Sequence, residues 1–308
     1  ITEKQRAYYI ANARFLRAWA YFHLVQVFGE VPLMQDHVEE FDYSVGRSAI
    51  KDIYDFIIAD LTYAINDGGL PTDINDGYVN LWAAKTLLGK VYLTMASAKK
   101  AGKVSGYQGV EGDPEELYGK ALLVLKDVKD NSGRNLEPVY GNVFKIENKN
   151  KTKETIWEIQ FSKEIPYGSQ WSKEYGAWPN GYDSQNLTGG WRANAYAGNC
   201  AINFVPSFRN YYNAKGYDVR RSWNLADSIV VFNKTTNKPT EIKSITMLSG
   251  LPPLGDNNNK STINFSGVTK YRWGKSWKEE HTDFVYSNCP NNIIALRFSD
   301  VCRSRLGR

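Results

Sequence analysis

No proline or glycine interrupts the chain between Glu3 and Phe28, and inside that run apolar residues recur at Ala11, Phe15, Ala18, Trp19, Phe22 and Val25. Steps of three and four put these side chains on one face of a single long α-helix. The polar Arg14 and Arg17 sit early, and beyond Ala18 the run is apolar nearly all round, which predicts a helix buried on most sides. Gly29 offers a C-terminal stop, and Pro32 prevents the helix from resuming.

Three more helices follow from the same periodicity. Ser48 to Asn66 carries Ile50, Ile53, Tyr54, Ile57, Leu61, Ala64 and Ile65 as an inner stripe and ends at Asp67-Gly68-Gly69 and Pro71. A third helix is predicted over Val79 to Lys99 and a fourth over Pro114 to Lys129, with Pro114 suited to a first helical turn. These make two helical hairpins. The second hairpin has Leu88-Gly89-x-x-Tyr92, then Tyr118-x-x-Ala121-Leu122, with Pro138 beyond it. That pattern is similar to the tetratricopeptide repeat, in which a small residue lets two helices approach and an aromatic ring fills the gap; Lys85 stands where the repeat often has tryptophan.

After Glu137 the character changes. Thr155 to Phe161 alternates with period two and reads as a strand, as do Ser228 to Phe232 and Gly267 to Trp273. Between Ile165 and Asn199 no period survives, yet the stretch is rich in rings, which argues for function over disorder. A short helix is expected at Pro206 to Asn213 and a last one from about Asn291. The fold class expected is mostly α: tetratricopeptide-like hairpins of the α-α superhelix type, with a long irregular, aromatic-rich excursion and a few short strands. One domain over 1–308 divides into a scaffold (1–136), an irregular loop and short-strand region (137–290) and the start of a C-terminal helix (291–308).

Bulk properties exclude several functions. The 38 basic and 33 acidic residues leave a net charge of +5 with no basic stripe, so nucleic acid is not an expected partner. The dense stretch Lys145 to Lys153 contains Glu147, abuts Glu154, and reads as a solvated loop. Cys200, Cys289 and Cys302 are odd in number, and without Cys-x-x-Cys spacing they imply neither a disulfide framework nor zinc. Asp73-Ile74-Asn75-Asp76-Gly77 shares part of a calcium loop, but its glycine and terminal glutamate are out of register, so no metal is expected. No nucleophile elbow, phosphate loop or dinucleotide fingerprint is present, so neither a cofactor nor a catalytic residue is predicted.

One segment is more specific than any of these. Ala13-Arg14-Phe15-Leu16-Arg17-Ala18-Trp19-Ala20-Tyr21-Phe22, followed by Leu24 and by Val27-Phe28-Gly29-Glu30-Val31-Pro32-Leu33, closely resembles the hallmark of the SusD/RagB family, the surface glycan-capturing lipoproteins of Bacteroidetes. In the same order stand Ile53-Tyr54 with Asp60-Leu61, Ala83-Ala84 through Leu93, Glu154 to Ile159, Asp218 with Arg220 and Arg221, and Leu296 to Val301. The resemblance implies a nutrient-binding protein exposed on the outer membrane, over a SusC-like TonB-dependent transporter to which it passes oligosaccharides. The family begins with a lipoprotein signal and an acylated cysteine. This chain opens on Ile1-Thr2-Glu3-Lys4, so a lipid anchor is expected only of a longer, full-length parent. After Asp300-Val301 the family helix continues as leucine, methionine and alanine, whereas here Arg303, Arg305 and Arg308 follow; the closing helices are expected to be missing or altered.

Seven of the nine tryptophans lie at or beyond Trp157. Trp171, Trp178 and Trp191 fall near Tyr167, Tyr175, Tyr182 and Tyr196, among hydrogen-bonding groups on Asn180, Asp183, Gln185, Asn186, Arg192 and Asn194. A flat ring covers the apolar C–H face of a sugar while amide, carboxylate and guanidinium groups take its hydroxyls. The candidate ligand-binding residues are therefore Trp171, Tyr175, Trp178, Tyr182, Asn186, Trp191 and Arg192, with Trp273 and Trp277 beside Glu279 as a second cluster. Any single ring could instead pin a loop to the helices. In the first helix Trp19, Tyr21, Phe22 and His23 read as core, and His37 and His281 as isolated loop residues. Two alternatives to glycan binding stand: a helical glycoside hydrolase, whose two carboxylates have no fixed spacing, and a tetratricopeptide-type scaffold gripping a protein partner.

Overall fold

The computed structural model describes residues 1–35, 45–73, 76–102, 109–162, 164, 167–169, 191–193, 203–204, 211, 214, 218, 220, 224–226, 229–233, 239–242, 266–268 and 292–303. The chain forms two compact units. One gathers Ile1–Leu136, Lys153–Glu158 and Ile294–Arg308, and the other Glu137–Thr152 and Ile159–Ile293.

The first unit is a stack of helices. Helix α1 spans Glu3–Phe28 and opens with a capping box: the Thr2 hydroxyl accepts from the Gln5 N–H at 3.2 Å while the Gln5 side chain accepts from the Thr2 N–H at 2.9 Å. It stops at Gly29, whose φ of +70° few other residues adopt. Helix α2 covers Ile50–Asn66, α3 Leu81–Ala101 and α4 Pro114–Asn131. Asp113 caps α4 by accepting from the Glu116 N–H at 2.9 Å, with Pro114 in the first turn. In sequence order α1 packs on α2, α2 on α3, and α3 on α4.

The core runs through this stack, with Phe15, Ile53, Tyr54, Ile57, Leu61, Leu87 and Val91 all sealed from solvent. Close approach at the second hairpin depends on Gly89: a Cβ there would stand 2.4 Å from Cγ of Leu125. Lys85 bridges the same hairpin to Asp127 and lies over the Trp82 ring. Its hydrogen bond, with a second from Asn131, holds the Asp127 carboxyl below the usual carboxylate range.

Strand β1, Thr155–Ile159, pairs with β8, Ile293–Arg297, and the chain then enters the short helix α5, Phe298–Arg303, which packs on α4. Two expectations are corrected here. Thr155 through Glu158 are all buried instead of alternating, because β1 is enclosed on both faces. And the predicted last helix does not begin near Asn291: five residues of strand come first, since the run Ile293 to Leu296 finds a ladder partner in β1.

Trp157 anchors β1. Its indole N–H donates to the Gly77 carbonyl at 3.2 Å, and its ring meets Phe15 edge-on at 5.0 Å and Trp19 at 5.4 Å. Asn80 joins the strand to α3. Its side-chain oxygen accepts from the Ala83 N–H, capping the helix, and its amide donates to the Ile156 carbonyl, each at 2.9 Å.

In the second unit, the short helical turn Ile146–Asn148 falls inside Lys145 to Lys153, which the charge pattern marked as loop, and another turn, Tyr140–Val143, precedes it. Strands β2 (Trp191–Ala193), β5 (Ile229–Asn233) and β6 (Pro239–Ile242) form an antiparallel sheet with β5 central. Strands β3 (Asn203–Phe204), β4 (Leu225–Ala226) and β7 (Ser266–Val268) form another, with β7 central. The strands expected over 228–232 and 267–273 thus correspond to β5 and β7, with 269–273 outside the described residues. Most of the short helix expected over 206–213 lies outside them too. Among the described residues the fold is mostly α, as expected.

Candidate ligand-binding site

Of the residues singled out for ligand contact, Trp171, Tyr175, Trp178, Tyr182, Asn186, Trp273 and Trp277 lie outside the described residues, as do His37 and His281. Trp191 and Arg192 are set by backbone pairing on β2, where Trp191 is opposite Asn233 and Arg192 opposite Phe232. The central strand β5 therefore fixes the register of the end of the ring-rich stretch.

The start of that stretch is a turn. The Ser162 N–H donates to the Tyr167 carbonyl at 2.9 Å, and the Tyr167 N–H to the Glu164 carbonyl at 2.6 Å. This holds the Tyr167 ring outward, 66% exposed. Tyr211, which periodicity did not single out, is also an exposed ring. Its only sequence signal is its residue type. Elsewhere in this unit, Tyr140 donates its hydroxyl to Asn224 at 3.1 Å and packs edge-on against Phe144. Asp218 and Arg220 form a two-pronged pair at 2.8 and 2.6 Å. The hydrogen bond from Arg220 holds the Asp218 carboxyl below its usual range.

The aromatic residues of α1 divide. Tyr21 and Phe22 are buried, as expected of core, and Trp19 is half-buried against Trp157. His23 is not a core histidine: it lies on the exposed side of α1, with its ring edge-on to Trp19 at 4.6 Å. Partial burial, reinforced by the Lys90 charge, lowers its pKa and keeps the ring neutral at pH 7. Nor is α1 buried on most sides, because Leu24, Val27 and Phe28 are exposed.

Among the described residues no group of three or more histidine, cysteine, aspartate or glutamate side chains is placed to hold a metal ion. No described helix is long and apolar enough to cross a membrane. Asp76, in the segment that shares part of a calcium loop, accepts from the Tyr78 N–H at 3.0 Å, as in an ordinary turn.

Residues 2–93 match a family model described as starch-binding and associating with the outer membrane. A SusD-like protein of Bacteroides ovatus is 34% identical over 169 residues, covering 54% of this chain and 28% of that protein. Among solved structures, one with a xylogluco-oligosaccharide aligns at a TM-score of 0.69 and 22% identity, covering all of this chain and 56% of the other. A laminarin-binding SusD-like protein aligns at 0.66 and 19% identity, covering 99% of this chain and 60% of the other. The chain thus spans little more than half the length of these structures, and its match takes in about a quarter of the Bacteroides ovatus relative. The N-terminal helices and the likeness in fold agree: residues 2–93 match the SusD-like family, and the chain has the fold of solved SusD-like proteins.

Proposed function

We propose that this chain is the nutrient-binding part of a non-catalytic lipoprotein, exposed on the outer membrane, that captures oligosaccharides or polysaccharides. In this reading the protein delivers them to a SusC-like TonB-dependent transporter, and a lipid anchor on the full-length polypeptide holds it to the membrane. The observation that carries the reading is the concentration of rings and amides between Tyr167 and Tyr196 in a chain of this fold. A family description that names starch and the outer membrane supports it, as do relatives in fold, one solved with a xylogluco-oligosaccharide and one that binds laminarin.

Stacked rings bind by apolar contact and neighbouring amides by directed hydrogen bonds, so neither requires a change in the bound sugar. Titration calorimetry with starch, xylogluco-oligosaccharides and laminarin tests the proposal. Binding to at least one is expected. Trp178→Ala or Trp191→Ala weakens that binding at least about tenfold, or about 1.4 kcal/mol. Silence across a broad glycan panel with the full-length protein rejects the reading. So does release of reducing sugar that vanishes when a single carboxylate is replaced, which would make the protein a hydrolase.

A further inference from the structure

Helix α1 has two apolar faces. Its inner face, Ala11, Phe15, Ala18, Phe22 and Val25, is buried in the stack. Its outer face carries Leu16, Leu24, Val27 and Phe28, exposed by 49, 38, 72 and 68%, with the exposed Ala20 between them. Positions 16, 20, 24, 27 and 28 follow steps of three and four, so this is one continuous stripe and not scattered single residues. It extends about 18 Å along the helix. No lysine, arginine, aspartate or glutamate occurs from Ala18 to Gly29, and Arg17 at its edge is already committed to Asp60.

The place of α1 in the stack gives the stripe its meaning. Helices pack in the order α1, α2, α3, α4, α5, which leaves α1 at one end. A stacked helical array is soluble only when its terminal helix turns a polar face outward. That of α1 is apolar and uncharged, so α1 is not built as a terminal helix. Solved proteins of the same fold are also larger, this chain spanning 56% and 60% of two of them.

We propose that the outer face of α1 seats an amphipathic helix from the part of the family domain that lies beyond these 308 residues, on the same polypeptide. That helix presents apolar residues at i, i+3, i+4 and i+7 to Leu16, Leu24, Val27 and Phe28, and it needs no charge to match an uncharged seat. The proposal is independent of which ligand, if any, the protein binds.

Thiol protection tests it. Val27→Cys introduces a reactive group at an open position, and Leu16→Cys a second one about three turns away. Each is placed both in the 308-residue chain and in the full-length polypeptide, with N-ethylmaleimide uptake at that site read by peptide mass spectrometry. The expected result is rapid labelling in the 308-residue chain and at least tenfold slower labelling in the monomeric full-length protein. Equal rates in the two proteins overturn the proposal. Slow labelling already in the 308-residue chain does so too, because a segment of this chain would then cover the face. Protection that rises with protein concentration assigns the face to a second copy and likewise refutes it.

Discussion

Asp60 is 2% exposed, and both its oxygens accept from Arg17, Oδ2 from Nε at 2.8 Å and Oδ1 from a terminal nitrogen at 2.9 Å. Arg14 stands 3.9 Å away on the same side. The two guanidinium planes lie over Phe56 and Tyr63 of α2, and Arg17 also donates to the Gln35 carbonyl at 2.7 Å. One carboxylate thus ties α1 to α2 and, through Arg17, to the segment after Gly29. Periodicity marks Arg14 and Arg17 only as polar positions on α1, because a partner 43 residues away leaves no local trace. Removing one member of a buried ion pair strands the other. Asp60→Ala is expected to cost about 3 kcal/mol, the low end for such pairs, since part of Arg17 still reaches water. Urea unfolding of the variant checks this; a loss below about 0.5 kcal/mol would mean that the stacked rings alone position the arginines.

At the level of elements, the helices were legible because their signals are local. Caps, stops and a 3.6-residue period bracket Glu3–Phe28 at both ends and the other three to within two residues. The strands were legible only where they alternate. Neither β1, buried on both faces, nor β8, whose ladder partner lies more than 130 residues away, has a pattern that fixes its environment. The same blindness applied to rings. Trp157 and Trp82 are core, whereas Tyr167 stands in solvent, and residue type does not separate them. The hairpin of α3 and α4 offers a test of what its glycines do. Gly119 has open space around it, so Gly119→Ala is expected to stabilise by about 1 kcal/mol, through helix propensity alone. At Gly89 the added methyl meets Leu125 at 2.4 Å. Overpacking of about 1–3 kcal/mol outweighs the same propensity gain and makes Gly89→Ala destabilising. Leu125→Ala in the Gly89→Ala background then costs less than it does alone, a coupling that a double-mutant cycle measures in thermal melts. Additive effects would show that the hairpin does not depend on this approach.

On the scale of the whole molecule, the helical unit is not continuous in sequence. The chain leaves it after Leu136, returns for Lys153–Glu158, leaves again and comes back at Ile294. Those returns fill the core with Ile156, Trp157, Leu296, Phe298 and Val301. Arg297 approaches the buried Glu154 at 3.4 Å, and the Phe298 N–H donates to the Glu154 carbonyl at 2.8 Å, so the two returns also hold each other. Among the described residues the four long helices all lie in the first 136, and sequence alone presents them as a finished scaffold. Without β1, however, the faces of Phe15 and Trp19 lose the indole they pack on, and the amide of Asn80 loses its acceptor on Ile156. A polypeptide of residues 1–136 is therefore expected to keep much of its far-UV helical signal, to lose fixed near-UV bands, and to bind anilinonaphthalene sulfonate at pH 7. Those are the marks of secondary structure without tight packing. Trp157→Ala in the complete chain isolates the largest single piece of that loss and is expected to cost about 3–5 kcal/mol. If the 136-residue polypeptide instead unfolds as cooperatively and at the same temperature as the complete chain, the hairpins carry their own core, and the two returns are attachments to it.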